Sequence, residues 1–279
     1  KDSDTYIRRV QWSPDSKKIF YSDRKNRLVE VDITTKAKRT VMQNPMEEFR
    51  SISFSPCGNW ITYTKAAKNE MSVVYVYNLQ TGKEIAVTEK WYDSSSPVFS
   101  TDGKYIIFTS ARDFNPTYGQ LEWNHTYNNM NGVYMAMLAK STPSPLLPED
   151  GKKAHAKPEA PAAKKGEAKP APAATVIDAD GIFGRIIRIP VGTGRFGSFV
   201  CDGKKLWYSS GRDTKVFDFA TQKSEEAAKG ATLASYTPGA KKALFSKGRE
   251  IYVCDFPAPK VALREKVELK NLVAPVDYA

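Results

Sequence analysis

Trp12-Ser-Pro-Asp-Ser-Lys-Lys-Ile-Phe-Tyr21 returns as Phe54-Ser-Pro-Cys-Gly-Asn-Trp-Ile-Thr-Tyr63 and again as Phe99-Ser-Thr-Asp-Gly-Lys-Tyr-Ile-Ile-Phe108. Two looser copies come later, Val200-Cys-Asp-Gly-Lys-Lys-Leu-Trp-Tyr208 and Tyr236-Thr-Pro-Gly-Ala-Lys-Lys-Ala-Leu-Phe245. In each, an aromatic or β-branched residue or its neighbour closes one strand, a tight turn comes next, and an apolar run opens the second strand. Proline presets φ at the second turn position, and glycine supplies the positive φ that a Cβ resists. A third strand comes about ten residues later (Leu28–Val31, Val73–Tyr77, Val133–Met137, Val216–Phe219, Ile251–Cys254). A polar turn and an edge strand complete the unit, as in Arg39–Met42 and Glu84–Thr88. Four short antiparallel strands in roughly 40 residues is the period of a β-propeller blade. The expected fold is therefore all-β, a propeller of four-stranded antiparallel blades. Five are visible, at about 6–47, 48–91, 92–191, 192–231 and 232–272, either as a complete ring or as part of a six- or seven-bladed one. The segment Val267–Val273 is a candidate for a strand that closes the ring.

The closing aromatics Tyr21, Tyr63, Phe108, Tyr208 and Phe245 are separated by 42, 45, 100 and 37 residues. The long interval holds two irregular stretches. One, 149–175, is rich in Lys, Pro and Ala with four acidic residues and no aromatic residue, a composition that buries too little surface to offset chain ordering, and it reads as a disordered loop or tether. The other, Ser110 to Asn131, adds some 20 residues rich in aromatics and amides. Long loops on a propeller rise from one face and form its binding surface. Arg112 and Asp113 read as an internal turn pair. Arg112, Asn115, Tyr118, Glu122, Trp123, Asn124 and Tyr127 are the candidate peptide-binding residues.

Composition narrows the function classes. With 279 residues and 41% hydrophobic content the chain can bury a large core. No stretch approaches the roughly 20 apolar residues that span a bilayer. The opening residues run directly into the first repeat, which suggests a segment of something longer. The net charge of +11 is spread over pairs such as Lys17-Lys18, Lys204-Lys205 and Lys241-Lys242. These pairs fall in the repeated turns, which favours solvated turn charge over a nucleic-acid site. Three cysteines, Cys57, Cys201 and Cys254, have no metal-type spacing, and the turns holding Cys57 and Cys201 belong to different repeats, so no disulfide is expected. His125 and His155 are the only histidines, no Gly-x-Ser-x-Gly elbow accompanies them, and neither a catalytic residue nor a metal site is assigned. Gly192-Thr-Gly-Arg-Phe-Gly197 carries the letters of a dinucleotide fingerprint without the helix that would receive a pyrophosphate, and no cofactor is assigned.

Ser-Pro-Asp-Gly-Lys blades occur in many propellers. The combination of Pro97-Val-Phe-Ser-Thr-Asp-Gly-Lys-Tyr-Ile-Ile-Phe-Thr-Ser-Ala-Arg-Asp-Phe-Asn-Pro-Thr-Tyr118, the Lys/Pro/Ala-rich spacer, and Ile177-Asp-Ala-Asp-Gly-Ile-Phe-Gly-Arg-Ile-Ile-Arg-Ile-Pro-Val191 resembles the tricorn protease family over roughly Tyr6 to Leu272. The sequence departs from the family pattern at Cys57, where the turn normally carries Asp, and at Phe183-Gly184. The resemblance implies a non-catalytic propeller of a tricorn-like serine peptidase that binds or gates oligopeptides. The catalytic and PDZ-like domains would lie elsewhere in the parent chain, and the full-length protein would be a homo-oligomer. Relatives of this kind are often exported in bacteria, which favours the periplasm, with the cytoplasm as the alternative. The second reading is a TolB-like scaffold that binds a protein partner and has no peptidase activity. A propeller hydrolase with its own central site is disfavoured by the scarcity of histidine.

Overall fold

In a computed structural model, the described residues are 4–44, 47–114, 116–119, 121, 124–146, 174–237 and 241–269. They form five four-stranded antiparallel sheets, the blades of a propeller, with one 3-10 turn at Ile182–Arg185. Blade one is β1 (Ile7–Trp12), β2 (Lys18–Asp23), β3 (Arg27–Asp32) and β4 (Lys38–Gln43); blade two is β5 (Arg50–Phe54), β6 (Trp60–Ala66), β7 (Ser72–Asn78) and β8 (Glu84–Ala86). Blade three begins with β9 (Ser94–Phe99) and β10 (Tyr105–Ser110). It then sends out a separate hairpin, β11 (Pro116–Tyr118) and β12 (His125–Tyr127), before β13 (Gly132–Met137) and β14 (Ile186–Thr193). Blade four is β15 (Phe196–Cys201), β16 (Lys205–Ser210), β17 (Asp213–Asp218) and β18 (Lys223–Ala228); blade five is β19 (Thr232–Thr237), β20 (Lys242–Lys247), β21 (Glu250–Asp255) and β22 (Glu265–Lys266).

Side-chain alternation explains the stacking. Along β10 every residue is buried, because its two faces enter two different cores. Ile106 and Phe108 pack with Val74, Val76 and Ile85 of blade two, whereas Tyr105 and Ile107 pack with Phe199, Leu206 and Phe217 of blade four. Two further cores join blade one to two (Phe20, Leu28, Ile61, Tyr63) and blade four to five (Trp207, Val216, Phe245, Cys254). The first strand of each blade carries a register break, and Ser51, Ser96 and Ser198 take φ of 53°, 54° and 50° at equivalent points of β5, β9 and β15. Such bulges bend the inner strands locally.

The repeated turn is held by its own side chains. Ser13 Oγ donates to Asp15 Oδ1 at 2.5 Å and accepts from the Lys18 amide at 3.0 Å; Ser100, Asp102 and Tyr105 repeat the pattern at 2.5 and 3.0 Å. The next position takes φ of 58°, 74° and 70° at Ser16, Gly58 and Gly103. At Gly103 a Cβ would also stand 2.7 Å from Thr175 Oγ1. Cys57 fills the aspartate niche with its sulfur 3.3 Å from Ser55 Oγ. Partial burial opposes ionisation of this thiol, but Ser55 and the amides of Asn59 and Thr175 outweigh it and lower the pKa. The three cysteines are free. Cys201 ends β15 inside a core instead of lying in a turn, since the fourth blade's turn is shorter. Three of the turn lysines are ion-paired across their blades, Lys18 to Glu30, Lys205 to Asp218 and Lys242 to Asp255 at 2.8–2.9 Å.

These hairpins define a turn face; the hairpins between second and third strands, and the connections between blades, define the opposite loop face. The two irregular stretches of blade three leave from opposite faces. The 111–131 loop joins β10 to β13 on the loop face, whereas 138–185 joins β13 to β14 on the turn face, where the Asp178 amide donates to Leu138 O at 3.0 Å. The tether expectation for 149–175 falls outside the described residues up to 173. Glu265–Lys266 completes blade five against β21, and Val267 N donates to Ile251 O at 2.8 Å, which makes this segment the fourth strand of blade five; the ring-closing strand expected at Val267–Val273 lies largely outside the described residues. Residues 270–273 lie outside the described set.

Candidate functional site

The loop of blade three carries a hairpin of its own. Pro116-Thr-Tyr118 pairs antiparallel with His125-Thr-Tyr127, and the Gly119 amide donates to Asn124 O at 2.8 Å to close the hairpin. None of the hairpin's described side chains belongs to the four cores. Phe114 and Tyr118 are 71% and 70% exposed, and Phe114 lies 5.5 Å from the ring of Tyr127. On the same face, the connection into β9 presents Trp91 at 79% exposure, with Tyr92 beside it in the chain. Exposed aromatic rings in contact, as Phe114 and Tyr127 are, are of the kind that marks contact sites on soluble domains.

At the base of the loop Arg112 stands between two rings, 5.3 Å from the centroid of Tyr92 and 5.2 Å from that of Tyr134, with Nε donating to Ser110 Oγ at 3.2 Å. Its Nη2 is buried without a hydrogen-bond partner. Stacking favours the charge by about 0.5–2 kcal/mol, and the orphan N–H works against it. The turn pair expected from sequence does not form. Asp113 instead bridges to Arg188 at 2.9 Å and accepts from the Tyr134 hydroxyl at 3.3 Å, because β13 and β14 carry those groups to it. Gly132 makes room: a Cβ there would stand 2.6 Å from Asp113 Oδ2. Burial first, and then the Asp113 charge, push the Tyr134 hydroxyl pKa up.

Of the sequence candidates, Arg112, Tyr118, Asn124 and Tyr127 all lie on this loop, while Asn115, Glu122 and Trp123 lie outside the described residues. Sequence reasoning passed over Trp91, Tyr92, Phe114 and Tyr134. The adjacent aromatics Trp91-Tyr92 just before a strand were a readable signal; the placement of Tyr134 beside Arg112 depends on sheet register. A cavity of about 310 Å³ also lies between blades one and two, lined by residues of β1, β2, β3 and β5. Among the described residues no group of three or more His, Cys, Asp or Glu is arranged to hold a metal ion. No helix of the described residues is long and apolar enough to cross a membrane.

A family model described as the tricorn protease second beta propeller domain matches residues 1–257. A putative tricorn-like protease C-terminal subunit of Sulfurisphaera tokodaii is 26% identical over 135 residues, covering 48% of this chain and 16% of the relative. Tricorn protease homolog 1 of Streptomyces coelicolor is 24% identical over 185 residues, covering 66% of this chain and 17% of the relative. The chain thus matches about a sixth of the length of these relatives. Among solved structures, tricorn protease superposes with a TM-score of 0.71 at 15% identity, over 91% of this chain and 25% of that one. TolB from Acinetobacter baumannii superposes with a TM-score of 0.52 at 16% identity, over 89% and 52%. At these identities the structural likenesses show the fold alone.

Proposed function

Because the chain belongs to the family of tricorn protease second β-propeller domains, we propose that it is the non-catalytic propeller portion of a tricorn-like serine peptidase, binding or gating oligopeptides for a catalytic domain outside this chain. The observation that carries this reading is the hairpin at β11 and β12, which holds exposed aromatic rings above a rigid stack of sheets. Flat rings suit an extended peptide, since aromatic faces cover apolar side chains while the peptide's own backbone groups can meet those of the loop. The propeller's contribution is binding and orientation, with no bond made or broken. The catalytic and PDZ-like domains of the same parent chain are its proposed partners, and the full-length protein is proposed to assemble as a homo-oligomer.

Fluorescence anisotropy with labelled oligopeptides tests the reading. Replacing Phe114, Tyr118 and Tyr127 together by serine is expected to weaken binding at least tenfold while the sheets stay folded. Unchanged binding by this variant would remove the loop from the site. The purified chain is expected to release no product from the same peptides. Cleavage that disappears on replacing one serine of this chain would overturn the non-catalytic assignment. A TolB-like scaffold is the rival reading, and it predicts no peptide binding by either protein.

A further inference from the structure

The repeated turn holds an anion in blades one and three and a thiol in blade two. The turn serine donates to Oδ1 of Asp15 or Asp102 at 2.5 Å, and the amides of Lys17 and Lys104 donate to the same oxygens at 3.1 and 3.2 Å. The blade-two copy keeps these donors around Cys57. Ser55 Oγ accepts from the Trp60 amide at 3.1 Å, which leaves its own proton for the Cys57 sulfur 3.3 Å away. The Asn59 amide stands where those of Lys17 and Lys104 stand in the other turns. Thr175, from the connection between β13 and β14, brings an amide and a hydroxyl to the same sulfur. Thr175 is 8% exposed, and its Oγ1 is buried without a hydrogen-bond partner. A thiol sulfur is a weak acceptor, whereas an anion draws a shorter and stronger hydrogen bond. An ionised Cys57 sulfur is therefore the acceptor that this hydroxyl lacks.

The other two cysteines have no such niche. Cys57 is partly exposed, while Cys201 and Cys254 are buried, and burial pushes both of their pKa values up. Thiolate character and access together decide which cysteine oxidises. We infer that Cys57 is a site of reversible oxidation by hydroperoxides, its sulfenate held by the turn niche that holds aspartate in blades one and three. The thiolate attacks one peroxide oxygen, so the S–O bond forms as the O–O bond breaks. The departing oxygen takes up the proton that the thiol released and leaves as water or an alcohol. Sulfur is oxidised by two electrons, and the peroxide is reduced. The product, Cβ–S–O⁻, has the connectivity of aspartate Cβ–Cγ–Oδ1, so its oxygen can take the place that Asp15 Oδ1 and Asp102 Oδ1 fill beside the serine hydroxyl. A small thiol then converts the sulfenic acid to a mixed disulfide and water. A second thiol frees Cys57 and departs in the small-molecule disulfide.

The test exposes the purified chain to equimolar hydrogen peroxide, traps sulfenic acid with dimedone and maps the adduct by mass spectrometry. Cys57 is expected to carry roughly tenfold more label than Cys201 or Cys254. Thr175→Val keeps the side-chain shape and removes the hydroxyl, and it should slow labelling of Cys57 about threefold to tenfold; Ser55→Ala should do the same. Label at the buried Cys201 reports an opened fold, and if Ser55→Ala opens it, Thr175→Val decides alone. Cys57→Asp restores the anion of the other two turns, so it should abolish the label and raise the melting temperature above that of the reduced chain. Equal labelling of the three cysteines, no label at Cys57, or a labelling rate unchanged in the folded variants overturns the inference. So does a Cys57→Asp chain less stable than the reduced one, since the niche would then reject an anion.

Discussion

Gly132 shows how a single residue sets the charge arrangement at the loop base. It stands where β13 leaves the loop, and a Cβ there would lie 2.6 Å from Asp113 Oδ2 and 3.1 Å from the Tyr134 ring. Both neighbours are held, Asp113 by Arg188 and Tyr134 by its packing against Phe108 at 6.1 Å. Gly132→Ala therefore forces the carboxylate to swing away, which breaks its bridge and leaves a half-buried charge poorly paired. A loss of about 1–3 kcal/mol is expected from urea unfolding. A cost below a few tenths would mean that the carboxylate has free room to move. Arg112 is a different case, since its ring contacts and its orphan Nη2 act in opposite directions.

Among the elements, the β11–β12 hairpin and the β10 strand are opposites. Every β10 side chain is buried between two cores, whereas the β11 side chains are all exposed and neither hairpin strand contributes to a core. The hairpin should then be separable from the fold. Replacing residues 114–130 by a short turn of the kind that joins β16 to β17 is expected to shift the melting temperature by only a few degrees. It should also remove the aromatic contribution to peptide binding. A cooperative collapse on excision, seen as loss of the far-ultraviolet β signal, would show that the loop supports the blade. By contrast, Phe108→Ala deletes a fully buried ring and falls in the class that costs about 3–5 kcal/mol.

Across the whole molecule, carboxylates held by basic or hydrogen-bonding neighbours set the acid response. Glu30 is one of these: burial opposes its charge, but Lys18 and Arg39 outweigh that and hold its pKa below the ordinary 4.5. The Lys25 and Arg27 hydrogen bonds lower Asp4 to about 2, and Lys205 and Lys242 lower Asp218 and Asp255. A carboxyl more acidic in the folded chain than in the unfolded one stabilises the fold above its unfolded pKa. That contribution is lost as pH falls through the folded value. The urea midpoint is thus expected to hold from pH 7 to about 4.5 and to fall from there toward about 2. Glu30→Gln should flatten part of that fall. A midpoint that rises on acidification would contradict it. Most of the other pairs are exposed and add little.

The blades were legible in the chain alone. A turn such as Ser13-Pro-Asp15 is closed by contacts within six residues, and strand alternation is a property of neighbours, so both survive in one dimension. The irregular 110–131 loop, with the candidate residues on it, stood out in the same way, as a break in a regular spacing. Relations between distant segments needed the folded chain. Arg112 meets Tyr92 and Tyr134, and Asp113 meets Arg188, because sheet register brings together residues 20 to 75 positions apart. The loop and the Lys/Pro/Ala-rich insertion sit in one sequence interval yet leave from opposite faces, since an odd number of strand crossings separates them. The cavity between blades one and two was illegible for the same reason: its lining comes from strands of different blades, and no local pattern records their meeting.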